Sequence, residues 1–177
     1  MFIVKLQDTW GAISDMVSAG TSGKDGISSI LLAAPNFDDD FQLWAEQIFA
    51  ILEANVSAAN AEPIIGVVCF HPEYMTPDGK SWPGFGHMHS VPRLRKWLTE
   101  HDETLSSTLD DSQVAAGGAW QRRTPHATIN VLRAEQLEVA EKRRTSGSLY
   151  AENIATLYSE TFEKLERDLR EEQETML

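Results

Sequence analysis

Ile64-Ile65-Gly66-Val67-Val68-Cys69-Phe70 is an uninterrupted apolar run that stops abruptly at His71-Pro72-Glu73-Tyr74. A short run of this kind, rich in β-branched side chains, reads as a strand buried on both faces. Pro72 has no N–H to give and ends the ladder. His71, Glu73 and Tyr74 are thereby delivered together at the carboxyl end of a central strand, where open α/β sheets place their ligands.

The rest of the chain is arranged around that strand. Phe2–Leu6 and Ile27–Ala33 read as further strands, the second closed by Pro35. In Ala127–Leu132, Ala127, Ile129 and Val131 share one face, and Thr128, Asn130 and Leu132 share the other. Helical spacing separates these segments. Asp8 is placed to cap a helix over 9–18, and Asn36 opens a helix in which Phe37, Phe41, Trp44, Ile48 and Leu52 recur every three or four residues. Asp38, Asp39 and Asp40 then fall in its first turn, where the helix dipole favours negative charge and water solvates it. Further helices are expected over 92–104 and 134–144, and a long one from Leu149 to Glu174 with Ile154, Leu157, Phe162, Leu165 and Leu169 in a stripe.

Together these features predict a single α/β domain spanning residues 1–177, with a mixed sheet of about four strands covered by helices and a long C-terminal helix. The order strand–helix–strand implies parallel neighbours joined by right-handed crossovers. Residues 76–118 read as a loop or insertion, with Trp82 and Phe85 among its prolines and glycines and a polar, small-residue excursion over Leu105–Gly118. Residues 171–177 read as a frayed tail.

A formal charge of −12 argues against nucleic acid or an anionic membrane as the partner, because both are bound through basic patches. A small anion remains compatible, since a few local arginines suffice. The single cysteine, Cys69, lies inside the apolar run, so no internal disulfide forms and a reducing compartment is expected. No stretch approaches the ~20 apolar residues that span a bilayer. Met1–Leu6 is too short for a signal-peptide core, so the expected location is the cytoplasm or an organelle interior (a plastid, where a transit peptide has been removed), and not secretion.

Two groups of residues carry candidate chemistry. In the first, His71, Glu73 and Tyr74 face Arg122, Arg123, Thr124 and His126 if their segments are neighbours. Arginines hold carboxylate or phosphate bidentately, and a histidine can move a proton, so His71 and Glu73 are the catalytic candidates and the others bind ligand. The same residues also suit a structural network in which Arg-Thr-Pro enters a strand and Arg123 pairs with Glu73. In the second group, His87 and His89 share one face of an extended segment, as metal-binding His-x-His pairs do, or else are two solvent-exposed loop histidines. No motif names a cofactor. The glycine-rich stretch Ala19–Gly26 lacks the phosphate-loop pattern, and no Gly-x-Ser-x-Gly elbow is present.

Pro35-Asn36-Phe37-Asp38-Asp39-Asp40-Phe41, Phe70-His71-Pro72-Glu73-Tyr74, Arg123-Thr124-Pro125-His126 continuing to Arg133, and Glu152-Asn153-Ile154-Ala155-Thr156-Leu157 occur in this order. Together they resemble the bacterial and plastid family named domain of unknown function 1415. This family typically has a histidine where Asn130 stands and a proline where Ala127 stands. Its Cys-Pro-Phe element has no counterpart in this chain, and 84–118 stands as an insertion. The resemblance implies an α/β fold without an established activity, and it adds Asn130, Arg133 and Asn153 to the ligand-binding candidates. The expected function is binding of a small anionic metabolite at the strand end, with hydrolase or transferase chemistry. The alternative is a non-catalytic interaction module that docks a protein partner through the acidic C-terminal helix and the insertion.

Overall fold

The computed structural model describes residues 11, 14, 29–80, 89–135, 145–158 and 162–175. The expected strand Phe2–Leu6, nearly all of the helix over 9–18, the stretch 19–28, Trp82, Phe85, His87 and most of the helix over 134–144 lie outside the described residues. Three strands form one sheet: β1 (Ser29–Ala33), β2 (Ile65–Phe70) and β3 (Thr128–Arg133), in the order β1-β3-β2. Both outer strands pair antiparallel with β3, with Val67 opposite Val131 and Leu32 opposite Ile129.

This corrects two expectations. Among the described residues β2 is an edge strand, β3 is the central one, and no neighbours are parallel. The strand–helix–strand reading fails for a definite reason. β1 and β2 do run in the same direction, but β3, arriving about 60 residues later, inserts between them. Of the four expected strands, three are present and the fourth is Phe2–Leu6.

One face of the sheet carries Ile30, Leu32, Ile65, Val67, Cys69, Ile129 and Val131, and it packs on helix α1. That helix comprises Leu43–Phe49, wound as a π-helix, followed by Ala50–Ala58 in α form. The π segment buries Trp44, Ala45, Ile48 and Phe49 together. Its i→i+5 turns suit apolar pairs four and five residues apart better than the 3.6-residue period does. Before it, Pro35–Phe37 makes only a single 3-10 turn, so Asp38–Asp40 precede the helix instead of forming its first turn. Asp40 caps it, accepting the Leu43 N–H at 2.8 Å.

A second core is helical. It joins α2 (Val91–His101), α4 (Asp111–Trp120) and α5 (Thr145–Leu157) through Leu94, Leu98, Val114, Ala151 and Ile154. Between α2 and α4 lies the short α3 (Glu103–Thr108), capped by Asp102, whose side chain accepts the Leu105 N–H at 2.9 Å. The expected mobile excursion over Leu105–Gly118 is therefore helical. Asp110 and Gln113 form a reciprocal capping box at the start of α4. The small residues that suggested a loop are a packing requirement. A Cβ on Gly117 would press on Ile154, and one on Gly118 would overlap Leu94 Cδ1 and stand 2.8 Å from Thr76 Oγ1.

The expected single C-terminal helix is two: α5, and α6 (Phe162–Thr175). Among the described residues no helix is long and apolar enough to cross a membrane.

Glu53, half-buried on α1, has its carboxyl pushed up to about 7 by burial. The folded protein therefore holds this proton more tightly than the unfolded chain does. Its contribution is fully present below about pH 4.5 and is lost as pH rises through about 7. Glu53→Gln is expected to leave the melting temperature unchanged near pH 4.5. At pH 8 it should stabilise by about 1 kcal/mol, a value reduced for partial exposure, or roughly 2–4 °C for a chain of this size. Thermal unfolding of both proteins at the two pH values checks this.

Candidate functional site

The antiparallel pairing brings three chain segments to one end of the sheet. Phe70 and Ala33 both lie opposite Thr128, so the tails after β1 and β2 meet the entry to β3. Two backbone bonds tie them there: Ala34 N–H to Ala127 O at 2.7 Å, and His71 N–H to Arg122 O at 3.1 Å.

His71 is completely buried in this junction. Its Nδ1 accepts the Glu73 N–H at 3.0 Å, so Nε2 carries the hydrogen and donates it to Phe37 O at 2.8 Å. Burial lowers its pKa, opposed by the Phe37 carbonyl and the nearby Asp38, Glu73 and Asp40 charges. Phe41 and Trp44 flank the ring at centroid distances of 5.3 and 6.5 Å. Both nitrogens are thus engaged, Nδ1 within the β2 tail and Nε2 across to the turn after β1. His71 acts as a neutral strut between them.

His126 is placed differently. Its Nδ1 lies 2.7 Å from Asp38 Oδ2, while Asp38 Oδ1 accepts the Ala127 N–H at 2.6 Å. A carboxylate accepts only, so Nδ1 donates, and Nε2 is the ring's remaining polar atom. That Nε2 is buried and has no hydrogen-bond partner among the described residues. The side chains of His126 and Asp38 are 5% and 12% exposed. An aspartate that fixes a histidine's tautomer and leaves the far nitrogen open is the arrangement that prepares a general base or a hydrogen-bond acceptor for a ligand. Thr124 supports the turn by donating its hydroxyl to His126 O at 2.8 Å.

The two arginines divide in a similar way. Arg122 is buried between the Phe70 and Tyr150 rings, at 5.4 and 5.8 Å from their centroids, and donates to the Tyr150 hydroxyl. Arg123 is half-buried, stacked 4.6 Å over Trp120, and its Nε has no hydrogen-bond partner among the described residues. Burial lowers its pKa, while Glu166 and Glu73 lie close enough to favour its charge. No ion pair with Glu73 forms among the described residues. A guanidinium partly stripped of water without a bound carboxylate is a natural anion partner.

The other candidates fall into place around this centre or away from it. Tyr74 is buried against Phe41 at 5.2 Å, and burial raises its phenol pKa. Glu73 is exposed. Asn130 accepts from the Ser29 hydroxyl at 2.6 Å on the sheet face away from α1. Asn153 donates to Gln121 at 3.0 Å on α5. Arg133 ends β3 opposite Ile65, seven residues and roughly 23 Å from His126 along an extended chain, so it belongs to the other end of the sheet. His89 is wedged edge-on between Trp97 and Tyr150 at 4.8 and 4.6 Å, and His87 lies outside the described residues. Among the described residues no three His, Cys, Asp or Glu side chains are grouped to hold a metal ion. Cys69 is buried beneath Trp44, with burial pushing its thiol up to about 12, which makes it a poor nucleophile.

Asp38 is the residue that sequence reading assigned elsewhere. The acidic triplet reads as a solvated helix start, and its first member is instead drawn inward by His126, 88 residues away. The only hint along the chain is that Pro35 and the following turn delay the helix beyond it. A search of protein-family models finds no match to this chain, and comparisons with curated proteins and with solved structures likewise return none.

Proposed function

We propose that this protein binds a small phosphate- or carboxylate-bearing metabolite at the end of the sheet, with Arg123 as its cation and His126 as its hydrogen-bonding and proton-handling group. The observation that carries the reading is the buried His126 Nε2, unpartnered among the described residues, on a ring held by Asp38 through Nδ1 and three residues from a half-buried arginine that has no ion pair among those residues. Buried polar atoms are nearly always satisfied, and a ligand-binding or catalytic role is one of the explanations for an exception. In this reading Asp38 orients His126, and Thr124 and the Asp38–Ala127 bond fix the loop. His71 and Arg122 provide the scaffold. Proton transfer at Nε2 would be the step that turns binding into hydrolase or transferase chemistry. Arg123 and His126 belong to the Arg-Thr-Pro-His element and Asp38 to the Pro35–Phe41 element, both of which resemble the family of unknown function.

Thermal shift with inorganic phosphate and with citrate, at ionic strength matched with chloride, tests it. A ligand at a hundred times its Kd is expected to stabilise by about 2.7 kcal/mol. Arg123→Ala should reduce the shift to that of chloride alone while the variant remains folded. No shift by either anion in the native protein would sink the reading.

A further inference from the structure

Helix α6 lies across this site. Phe162 stands 6.3 Å from Trp120, the ring on which Arg123 stacks. One turn on, Glu166 is close enough for its charge to reach Arg123. Two turns further, the Gln173 amide is 3.5 Å from Asp38 Oδ2, the oxygen that also holds His126. At 100° per residue, Phe162, Leu165, Glu166, Leu169 and Gln173 share a face about 100° wide. The helix thus meets the ring under the arginine at one end and the Asp38 carboxylate at the other, with one side.

Its attachment is slight. No residue of α6 is fully buried, and Phe162, Leu165, Leu169 and Gln173 are only half-buried. By contrast, Ala151 and Ile154 of α5 are completely enclosed. Elements with few buried apolar contacts open at low free energy, well below global unfolding. Meanwhile His126 Nε2 is shut off from solvent, so a ligand reaches it only when something covering the site moves.

We propose that α6 is a built-in lid on the anion site, set against Trp120 by Phe162 and against Asp38 by Gln173, which lifts as an incoming phosphate reaches Arg123 and His126. The proposal rests on the anion-binding reading above. Lifting the lid draws on the ligand's binding energy, so the affinity measured for the native chain is lower than that of the open site.

Calorimetric titration of inorganic phosphate at fixed ionic strength tests the lid. It is combined with amide hydrogen exchange over 162–175, on the full chain and on the full-length variants Glu166→Gln and Leu169→Asn. Both variants are expected to bind phosphate about tenfold more tightly, and saturating phosphate should speed exchange in α6 of the native protein. Phosphate affinity that is still measurable but equal or weaker in both variants would overturn the lid and leave the anion site standing. So would α6 amides that already exchange as an unfolded segment before phosphate is added. Absence of phosphate binding in Leu169→Asn, with its α6 amides exchanging freely, would overturn the anion site and the lid together.

Discussion

Asp38→Ala is expected to destabilise the protein by about 3 kcal/mol, as the urea midpoint falls while the slope of the transition stays constant. The size follows from what one carboxylate does. It accepts from Ala127 N–H at 2.6 Å and from His126 Nδ1 at 2.7 Å, both in a nearly closed environment. Alanine leaves both donors buried without partners, and each orphan costs about 1–3 kcal/mol. It also unpins the tail of β1 from the entry to β3, where the ladder continues through Ala34 and Ala127. Asp38→Asn keeps one acceptor oxygen and the shape, so about half the loss is expected. A change below about 1 kcal/mol for alanine would show that the aspartate is solvated after all. The same substitution should remove phosphate binding, because the freed imidazole can rotate and take the other tautomer.

Trp44→Ala should cost more, about 3–5 kcal/mol, the range for deleting a large buried aromatic. Trp44 has no exposed surface and lies in the π-wound part of α1. Its ring packs against Phe37 at 5.6 Å, and its indole N–H donates to Phe70 O at 3.1 Å, at the last residue of β2. Removing it opens a cavity beside His71 and leaves that carbonyl without its donor. Trp44→Phe restores most of the volume but not the hydrogen bond, and should recover more than half of the loss. Urea unfolding separates the two. Nitrogen NMR of the His71 ring adds a local readout: the Nε2–H tautomer should persist in the phenylalanine variant and average out in the alanine one. If both variants lost the same stability, the hydrogen bond and not the packing would be the dominant contribution.

The sequence alone determined what depends on neighbours along the chain. The apolar run ending at Pro72 had to be a buried strand, and the alternation of Ala127–Leu132 fixed its two faces. The spacing of Phe41, Trp44, Ile48 and Leu52 fixed which side of α1 turns inward, because periodicity reports burial directly. Cys69 could likewise be read as inert from its apolar neighbours. The small-residue stretch over 105–118 resembles a loop in sequence and is helical in the fold for a related reason. Glycine weakens a helix locally, and only the closeness of Leu94 and Ile154 shows that these glycines permit helix contact.

Everything that separates a scaffold from a candidate site was decided in three dimensions. His71 and His126 look equally available in the sequence, as do Arg122 and Arg123. Which nitrogen is capped by Phe37 O, which by Asp38, and which by nothing depends on chain segments 34 to 88 residues apart. Those segments meet because β3 enters between two strands formed earlier in the chain, and strand order is set by the total burial of the sheet and not by any local pattern. The residues that could do chemistry were therefore legible by type, and the assignment of role was not. A side chain's role depends on which of its polar atoms the rest of the fold leaves unsatisfied.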